Sequence, residues 1–256
     1  MSDLDFYRAL EDRYRGSRDL IKKRLETYLP FVRKLSEVDD DFQALDVGCG
    51  RGEWLELLTD QHLSAMGVDL DEGMLRACRE RKLEVQQKEA IEYLTHSDNQ
   101  SISLITGFHL AEHLSFDALQ TLIEASRRAL KKGGLLILET PNPENIVVAG
   151  HTFYLDPTHH RPIPPLLLSF VAEHAGFHRV KILRLQENPE LKASRPPRLW
   201  DIFQSASPDY AIIAQKEGPR GTLERFDALF DEPYGLQPQE IAALYDEDLS
   251  RRMHQI

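Results

Sequence analysis

Cysteine is scarce in this chain of 256 residues: only Cys49 and Cys78 are present, and neither belongs to a CxxC pair. This spacing excludes a disulfide framework and a cysteine-based metal cluster, and we expect no metal. Long hydrophobic runs are also missing. None approaches the ~20 apolar residues of a membrane-spanning helix, and the charged N-terminus lacks the apolar stretch of a signal peptide. We therefore predict a cytoplasmic protein that reaches the inner membrane only through partners.

An excess of positive charge is missing as well. The 31 Lys and Arg residues are outnumbered by 42 Asp and Glu residues, so the formal net charge is −11. Non-specific nucleic-acid binding depends on exposed Lys and Arg, and we expect no nucleic-acid partner. The basic residues are concentrated between Arg8 and Arg24, and the acidic ones in 39–41 and after Glu224. An anionic ligand would therefore be attracted only locally.

The hydrophobic periodicity predicts three regions: an N-terminal helical cap (1–38), an α/β domain (39–216) and a helical C-terminal tail (217–256). In the first, one amphipathic helix is predicted over 3–29, ended by Pro30. In the second, apolar strands alternate with helices, which is typical of a parallel sheet covered on both faces. The predicted strands are 42–47, 64–70, 83–87, 101–108, 135–140, 177–186 and 208–216. The last two lack a crossover helix and predict an antiparallel hairpin at the sheet edge.

A glycine-rich turn follows the first strand and opens a helix: Asp46-Val-Gly48-Cys49-Gly50-Arg-Gly52. Glycines let a backbone turn sharply and approach a ligand, and a helix start offers N–H groups to polar ligand atoms. Dinucleotide enzymes use GxGxxG here, but Glu53 occupies the third glycine position of that pattern. We therefore disfavour NAD; a purely structural turn is the other alternative.

Acidic residues end the next two strands. Asp69 is placed to accept both ribose hydroxyls of an adenosine, whereas Asp71 is explained by capping of the following helix. Glu89 and Ala90 could meet the adenine edge, although Glu89 is also explained as a helix-start acid. The predicted cofactor-binding set comprises Asp46, Gly48, Cys49, Gly50, Gly52, Asp69, Leu70, Glu89, Ala90 and Phe108.

Taken together, these motifs resemble the class I S-adenosylmethionine (SAM)-dependent methyltransferases. The resemblance covers about residues 40–216 and rests on ALDVGCGRGEW (44–54), GVDLD (67–71), EA (89–90), GFHLAEHL (107–114) and LKKGGLLILETPNP (130–143). It implies a Rossmann-like seven-stranded sheet, mostly parallel with the last strand antiparallel, and SAM as the cofactor. Glu89 departs from the Asp that is usual in the family.

Candidate catalytic and substrate-binding residues follow the fourth and fifth strands and occupy the polar insert 151–165. We predict catalytic roles for His109, His159 and His160, and substrate contacts for Asn142, Tyr154, Asp156 and Arg161. A polar loop of this length is often a binding lid, and 159–161 could hold an anion; a solvated loop is the alternative. On the N-terminal helix, Tyr14 and Arg18 share a face. They are predicted to cover the cofactor, with Arg18 pairing its carboxylate, unless they form an ordinary basic surface.

Three stretches (6–25, 107–119 and 139–165) are similar to the methyltransferase domain of bacterial O-antigen chain-terminating enzymes. This resemblance implies methylation of a terminal sugar or sugar phosphate of lipopolysaccharide. Residues 217–256 are too few for a kinase domain, so a phosphate acceptor would need a separate kinase; a glycosyltransferase is another expected partner. Two alternatives stay open: a small-molecule (quinone or metabolite) O-methyltransferase, and a non-catalytic scaffold with the same fold.

Overall fold

The computed structural model describes Arg13 and residues 16–188, 190–193 and 196–254. Its N-terminal part contains helix α1 (Arg18–Leu25), a 3-10 turn (Glu26–Tyr28) and helix α2 (Leu29–Ser36). The expectation that Pro30 ends a helix is wrong. Pro30 lies in the first turn of α2, where its missing N–H would have no intrahelical partner in any case.

Seven strands form one sheet, as predicted. They are β1 (Ala44–Val47), β2 (Ala65–Asp69), β3 (Glu84–Gln87), β4 (Ile102–Phe108), β5 (Leu130–Pro141), β6 (Arg179–Leu185) and β7 (Asp209–Gln215). The strand order is β3-β2-β1-β4-β5-β7-β6, and β7 runs in the direction opposite to the other six strands. Every residue of β1 and β4 is buried, because helices cover both faces. The Rossmann-like fold is thereby confirmed.

Helices lie between the strands and cover the sheet, as the alternating pattern predicts. They are α3 (Glu53–Asp60), α4 (Glu72–Glu80), α5 (Ala90–His96), α6 (Phe116–Ala129) and α8 (Pro165–His174). Shorter elements lie between β4 and β7: a 3-10 turn (Ala111–His113), α7 (Ile146–Gly150), a second 3-10 turn (Thr152–Leu155), α9 (Glu190–Ala193) and α10 (Leu199–Gln204).

The last two strands pair antiparallel as expected, but the segment that joins them contains α9 and α10 rather than a tight turn. Strand β7 inserts between β5 and β6, so its first residue, Asp209, pairs with Pro141 and Leu185 at the ends of those strands. An antiparallel strand begins where its parallel neighbour ends. The start of β7 therefore lies at the carboxyl edge of the sheet, where ligands bind in this architecture.

The C-terminal segment is helical, with α11 (Arg220–Glu224), α12 (Asp227–Asp231) and α13 (Pro238–Met253). It packs on the rest of the chain: Phe226 and Ile241 are fully buried, and the Phe230 ring lies 6.1 Å from that of Phe31 in α2. Across the described residues, no helix combines the length and apolarity that a membrane crossing requires.

Candidate active site

The loop after β1 brings the backbone close to the carboxyl edge of the sheet. Gly48 and Gly50 have positive φ angles of 70° and 50°, which side chains with a Cβ rarely adopt. A Cβ on Gly48 would lie 3.2 Å from Leu110 Cδ1. The N–H groups of Gly48 and Cys49 donate to the Val68 carbonyl, and that of Gly50 donates to Asp69. These three loop amides are used internally, so this part of the loop offers a ligand close approach; donation from the first N–H groups of α3 stays a prediction.

Beside this loop lies an open groove of about 360 Å³, hereafter the glycine-loop groove. Seven of the predicted cofactor-binding residues line it: Gly48, Gly50, Asp69, Leu70, Glu89, Ala90 and Phe108. They come from the ends of β1, β2, β3 and β4, so residues far apart in sequence meet along one edge. No side chain of the described residues fills the groove, which is what a nucleoside-binding crevice requires.

Asp69 has a preorganised carboxylate at the end of β2. Its Oδ2 accepts from Gly50 N at 2.8 Å and its Oδ1 from Asp71 N at 2.8 Å. Each carboxylate oxygen has a second lone pair, so the pair can still accept from two ligand hydroxyls. Asp71 caps α4, as predicted, and Glu89 caps α5 through a 2.6 Å bond from Glu92 N. Capping therefore accounts for both of these acids.

A second space of about 370 Å³, hereafter the histidine cavity, opens beside the groove. It is lined by Ile21, Arg24, Leu25, Asp46, Gly48, Cys49, Glu53, Trp54, Phe108, His109, His113, Glu139, Thr152, Leu155, Asp156, His159, Gln186 and Asp209. Four residues line both spaces: Gly48, Phe108, His109 and His113. The groove and the cavity therefore meet at the ends of β1 and β4.

A buried network of polar side chains connects β4, β5 and the N-terminal segment. His109 Nδ1 lies 3.1 Å from Glu112 Oε1, and its Nε2 lies 3.4 Å from Glu139 Oε1. Tyr28 donates its hydroxyl to Glu139, and Thr140 donates to Glu112 at 2.9 Å. His109 itself has a positive φ of 55°, an uncommon conformation that persists only where the surroundings hold it.

Charge and burial shift the ionisation of this network. Burial alone would lower the pKa of His109, but hydrogen bonds to Glu112 and Glu139 raise it well above its ordinary value. Burial raises the pKa of Asp209 to about 6. The positive charge of His109 lowers this pKa, and the negative charge of Glu139 raises it. The two carboxylates therefore favour the protonated imidazolium of His109, and burial favours the neutral form of the Asp209 carboxyl group.

Trp54, in the first turn of α3, is both a core residue and part of the cavity wall. It is 2% exposed and packs edge-on against Phe108 with ring centroids 5.4 Å apart. Its indole Nε1–H is buried and has no hydrogen-bond partner among the described residues. An unsatisfied buried donor of this kind is costly.

The N-terminal helix contributes different residues from those predicted. Arg18 donates to the Arg51 carbonyl at 2.6 Å and to Glu56 at 2.7 Å, and it lines neither space. Its guanidinium is engaged on α3, so pairing with a cofactor carboxylate does not follow from this geometry. Arg24, one and a half turns further on, lines the histidine cavity instead. Tyr14 lies outside the described residues.

Two other predicted site residues have structural roles. Gly52 begins α3 with a φ of 76°, and a Cβ there would lie 2.8 Å from Cys78 Sγ and from Leu83 Cδ1. Asn142 is fully buried; its amide donates to the Ser207 carbonyl at 2.8 Å and its Oδ1 accepts from Glu144 N. Neither residue lines the groove or the cavity, so these two positions correct the predicted set.

The polar insert supplies only part of the expected acceptor site. His159 and Asp156 line the histidine cavity. Tyr154 is 62% exposed, the His160 side chain is exposed, and the guanidinium of Arg161 stacks 4.9 Å above the Phe116 ring. The predicted anion site over 159–161 is therefore not assembled, because a loop with no periodicity does not reveal which side chains face inward.

Glu139 and Asp209 were missed by the sequence reasoning. Glu139 had a recognisable signal, since it is an acid at the carboxyl end of an apolar strand. Asp209 had none, because it enters the site at the start of β7, and only the antiparallel direction of that strand places it there.

Comparisons with known proteins agree with this architecture. A family described as "Methyltransferase domain" matches residues 45–138. The crystal structure of a SAM-dependent methyltransferase from Archaeoglobus fulgidus is similar, with 33% identity and a TM-score of 0.71; the match covers 82% of this chain and 100% of that one.

Two curated bacterial proteins are also similar. One is a ubiquinone biosynthesis O-methyltransferase from Idiomarina loihiensis, 30% identical over 162 residues, which are 57% of this chain and 66% of that protein. The other is a probable SAM-dependent methyltransferase from Mycolicibacterium smegmatis, 29% identical over 133 residues, 52% of this chain and 51% of that protein. The chain thus spans about half to two thirds of the length of these relatives.

Proposed function

Because the chain belongs to the SAM-dependent methyltransferases, we propose that it transfers a methyl group to a hydroxyl oxygen of a small ring compound. The observation that carries the proposal is the meeting of two spaces at Gly48, Phe108, His109 and His113. We assign one space to the nucleoside of the donor and the other to a small acceptor. Their shared boundary is where a methyl group would pass from donor to acceptor.

SAM, the methyl donor of this family, fits the glycine-loop groove. The ribose hydroxyls would be held by Asp69, and the adenine would lie near Glu89 and Ala90, at the far end of the groove. The polar end of the donor would reach into the histidine cavity, whose wall includes the cationic side chain of Arg24. A non-catalytic scaffold would not need two adjoining spaces, one for the methyl donor and one for the methyl acceptor.

When bound, SAM supplies a sulfonium methyl group that is already a strong electrophile, so the protein mainly has to align the acceptor and remove its proton. Asp209 is the proposed base because it lines the histidine cavity and its carboxylate accepts no side-chain hydrogen bond from the described residues. A carboxyl with a pKa of about 6 is ionised at neutral pH and still basic enough to take a proton. His109 is less suited as a base, since both of its ring nitrogens face carboxylates.

The acceptor class follows from the size and lining of the histidine cavity. A volume of about 370 Å³ suits one substituted ring, and the wall includes Leu25, Trp54, Phe108 and Leu155. The glycan acceptor expected from the chain-terminating resemblance is less well supported. His160 and Arg161 do not form the anion site that a terminal phosphate would need, and the Idiomarina relative is named for a ubiquinone-pathway O-methylation. We therefore place the small-molecule alternative first.

A labelled-methyl transfer assay tests this function. The acceptors are a set of substituted catechols and, separately, oligosaccharide ends with and without a terminal phosphate. We expect label on a ring hydroxyl, with kcat lowered at least about 100-fold in Asp209→Asn and unchanged in Asp231→Asn, an exposed acid on α12. Label on the oligosaccharides alone would overturn the acceptor class, and full activity of Asp209→Asn would remove it as the base.

A further inference from the structure

We propose that Glu112, His113 and His159 bind a divalent transition-metal cation at the boundary between the glycine-loop groove and the histidine cavity. One potential ligand atom from each of these residues lies within 4.8 Å of the other two. The imidazole rings of His113 and His159 are 4.7 Å apart between centroids and meet at 70°. Two imidazoles and one carboxylate within reach of a single ion are a known ligand set for Zn²⁺ and for Fe²⁺.

Hydrogen bonds determine which nitrogen of each histidine carries the lone pair. His159 Nδ1 lies 2.7 Å from the Phe153 carbonyl, which can only accept, so Nδ1 holds the proton. Thr158 Oγ1 donates to Asp156 at 2.6 Å and therefore accepts from His113 Nδ1 at 2.9 Å. In the neutral form of both rings the lone pair is then on Nε2, which in His159 also lies 3.8 Å from Asp156 Oδ2. Metal-binding histidines are usually oriented in this way, with the other N–H donating to a carbonyl or to a carboxylate-linked group.

The third ligand, Glu112, is a fully buried carboxylate held in place by two hydrogen bonds. His109 Nδ1 lies 3.1 Å from its Oε1, and Thr140 Oγ1 donates to its Oε2 at 2.9 Å. Each oxygen has a further lone pair, and outer hydrogen bonds of this kind orient ligating carboxylates. All three proposed ligands are therefore aimed by partners from other parts of the chain.

The position of the site suggests its use, and this role rests on the proposed methyl transfer. His113 lines both spaces, so open coordination positions would face the acceptor. A Lewis acid there favours ionisation of the acceptor hydroxyl. The hydroxyl proton passes to the Asp209 carboxylate, and the oxygen electron pair forms the new O–C bond. The C–S bond breaks, and its electron pair stays on the sulfur. The expectation of no metal rested on cysteine spacing, which does not report on histidine ligands.

A Co²⁺ titration of the tag-free full chain tests the site independently of activity, through the visible absorption of the ligated ion. We expect one Co²⁺ per chain, displaced by Zn²⁺, and at least tenfold weaker binding in His113→Ala and His159→Ala. His160→Ala is the matched control, because its exposed side chain is adjacent in sequence and lines neither space. Thermal unfolding and SAM calorimetry check that each variant is folded. Wild type without stoichiometric binding, or a folded His159→Ala that binds as tightly, would overturn the site.

A second measurement separates the role of the cation from its presence. Methyl transfer to a catechol is followed before and after removal of metal with EDTA, and again after Zn²⁺ is added back. Loss and recovery of transfer are expected, and undiminished transfer by metal-free protein would refute the role. If no acceptor is methylated at all, the proposed function fails, while the Co²⁺ titration still decides whether the site exists.

Discussion

Replacing Gly52 with alanine should destabilise the fold rather than weaken ligand binding directly. Gly52 has a φ of 76°, and an added Cβ would lie 2.8 Å from both Cys78 Sγ and Leu83 Cδ1. The left-handed backbone costs a residue with a Cβ about 1–2 kcal/mol, and overpacking a buried contact costs about 1–3 kcal/mol. The free energy of unfolding should therefore fall by about 2–5 kcal/mol, a large part of the ~5–15 kcal/mol typical of a folded protein.

Urea denaturation of wild type and Gly52→Ala measures this loss, and SAM calorimetry is run on both folded proteins. Gly221→Ala is the control: it lies in helix α11, where no atom of the described part of the chain is within 4 Å of an added Cβ. It should be neutral or stabilising by up to ~1 kcal/mol. If Gly52→Ala unfolds within about 0.5 kcal/mol of wild type but binds SAM much more weakly, the packing argument is refuted and Gly52 returns to the cofactor site.

Three further predictions concern the site and the C-terminal helices. Asp69→Ala should weaken SAM binding at least tenfold, or ~1.4 kcal/mol, by calorimetry, whereas the exposed Asp98→Ala should not; equal affinity would remove Asp69 from the site. Because the folded pKa of Asp209 (about 6) exceeds its unfolded value near ~3.9, the free energy of unfolding should fall by up to about 3 kcal/mol between pH ~4 and ~6. Asp209→Asn should remove that fall and should be more stable than wild type at pH 8. Urea denaturation at several pH values measures this, and identical profiles for the two proteins would contradict the raised pKa. Phe226→Ala, which empties a fully buried position against the N-terminal helices, should cost ~3–5 kcal/mol; the half-exposed Leu249→Ala should cost little, and a mild effect at Phe226 would show that the contact is dispensable.

Much of the fold followed from local patterns in the sequence. Apolar strands alternating with amphipathic helices predicted the seven strands and the covering helices, because burial on both faces of a parallel sheet leaves a continuous apolar run. The glycine turn and the capping role of Asp71 were readable for the same reason, since each depends on the conformation of a few neighbouring residues. The helix predicted to end at Pro30 was wrong because proline is also accepted in the first turn of a new helix.

The histidine cavity could not be derived in this way, because its walls meet only in three dimensions. Asp209 reaches the site because β7 runs antiparallel to β5. Glu139 reaches it because β5 lies beside β4, which places its carboxylate 3.4 Å from His109 Nε2. In the insert, His159 lines the cavity and His160 does not, and only the folded conformation shows this. A loop has no periodicity from which the direction of its side chains could be predicted. The sequence alone determined the sheet, the glycine-loop groove and the identity of the methyl donor. The tertiary structure decided which charges face the acceptor, because that depends on contacts between residues far apart in the chain.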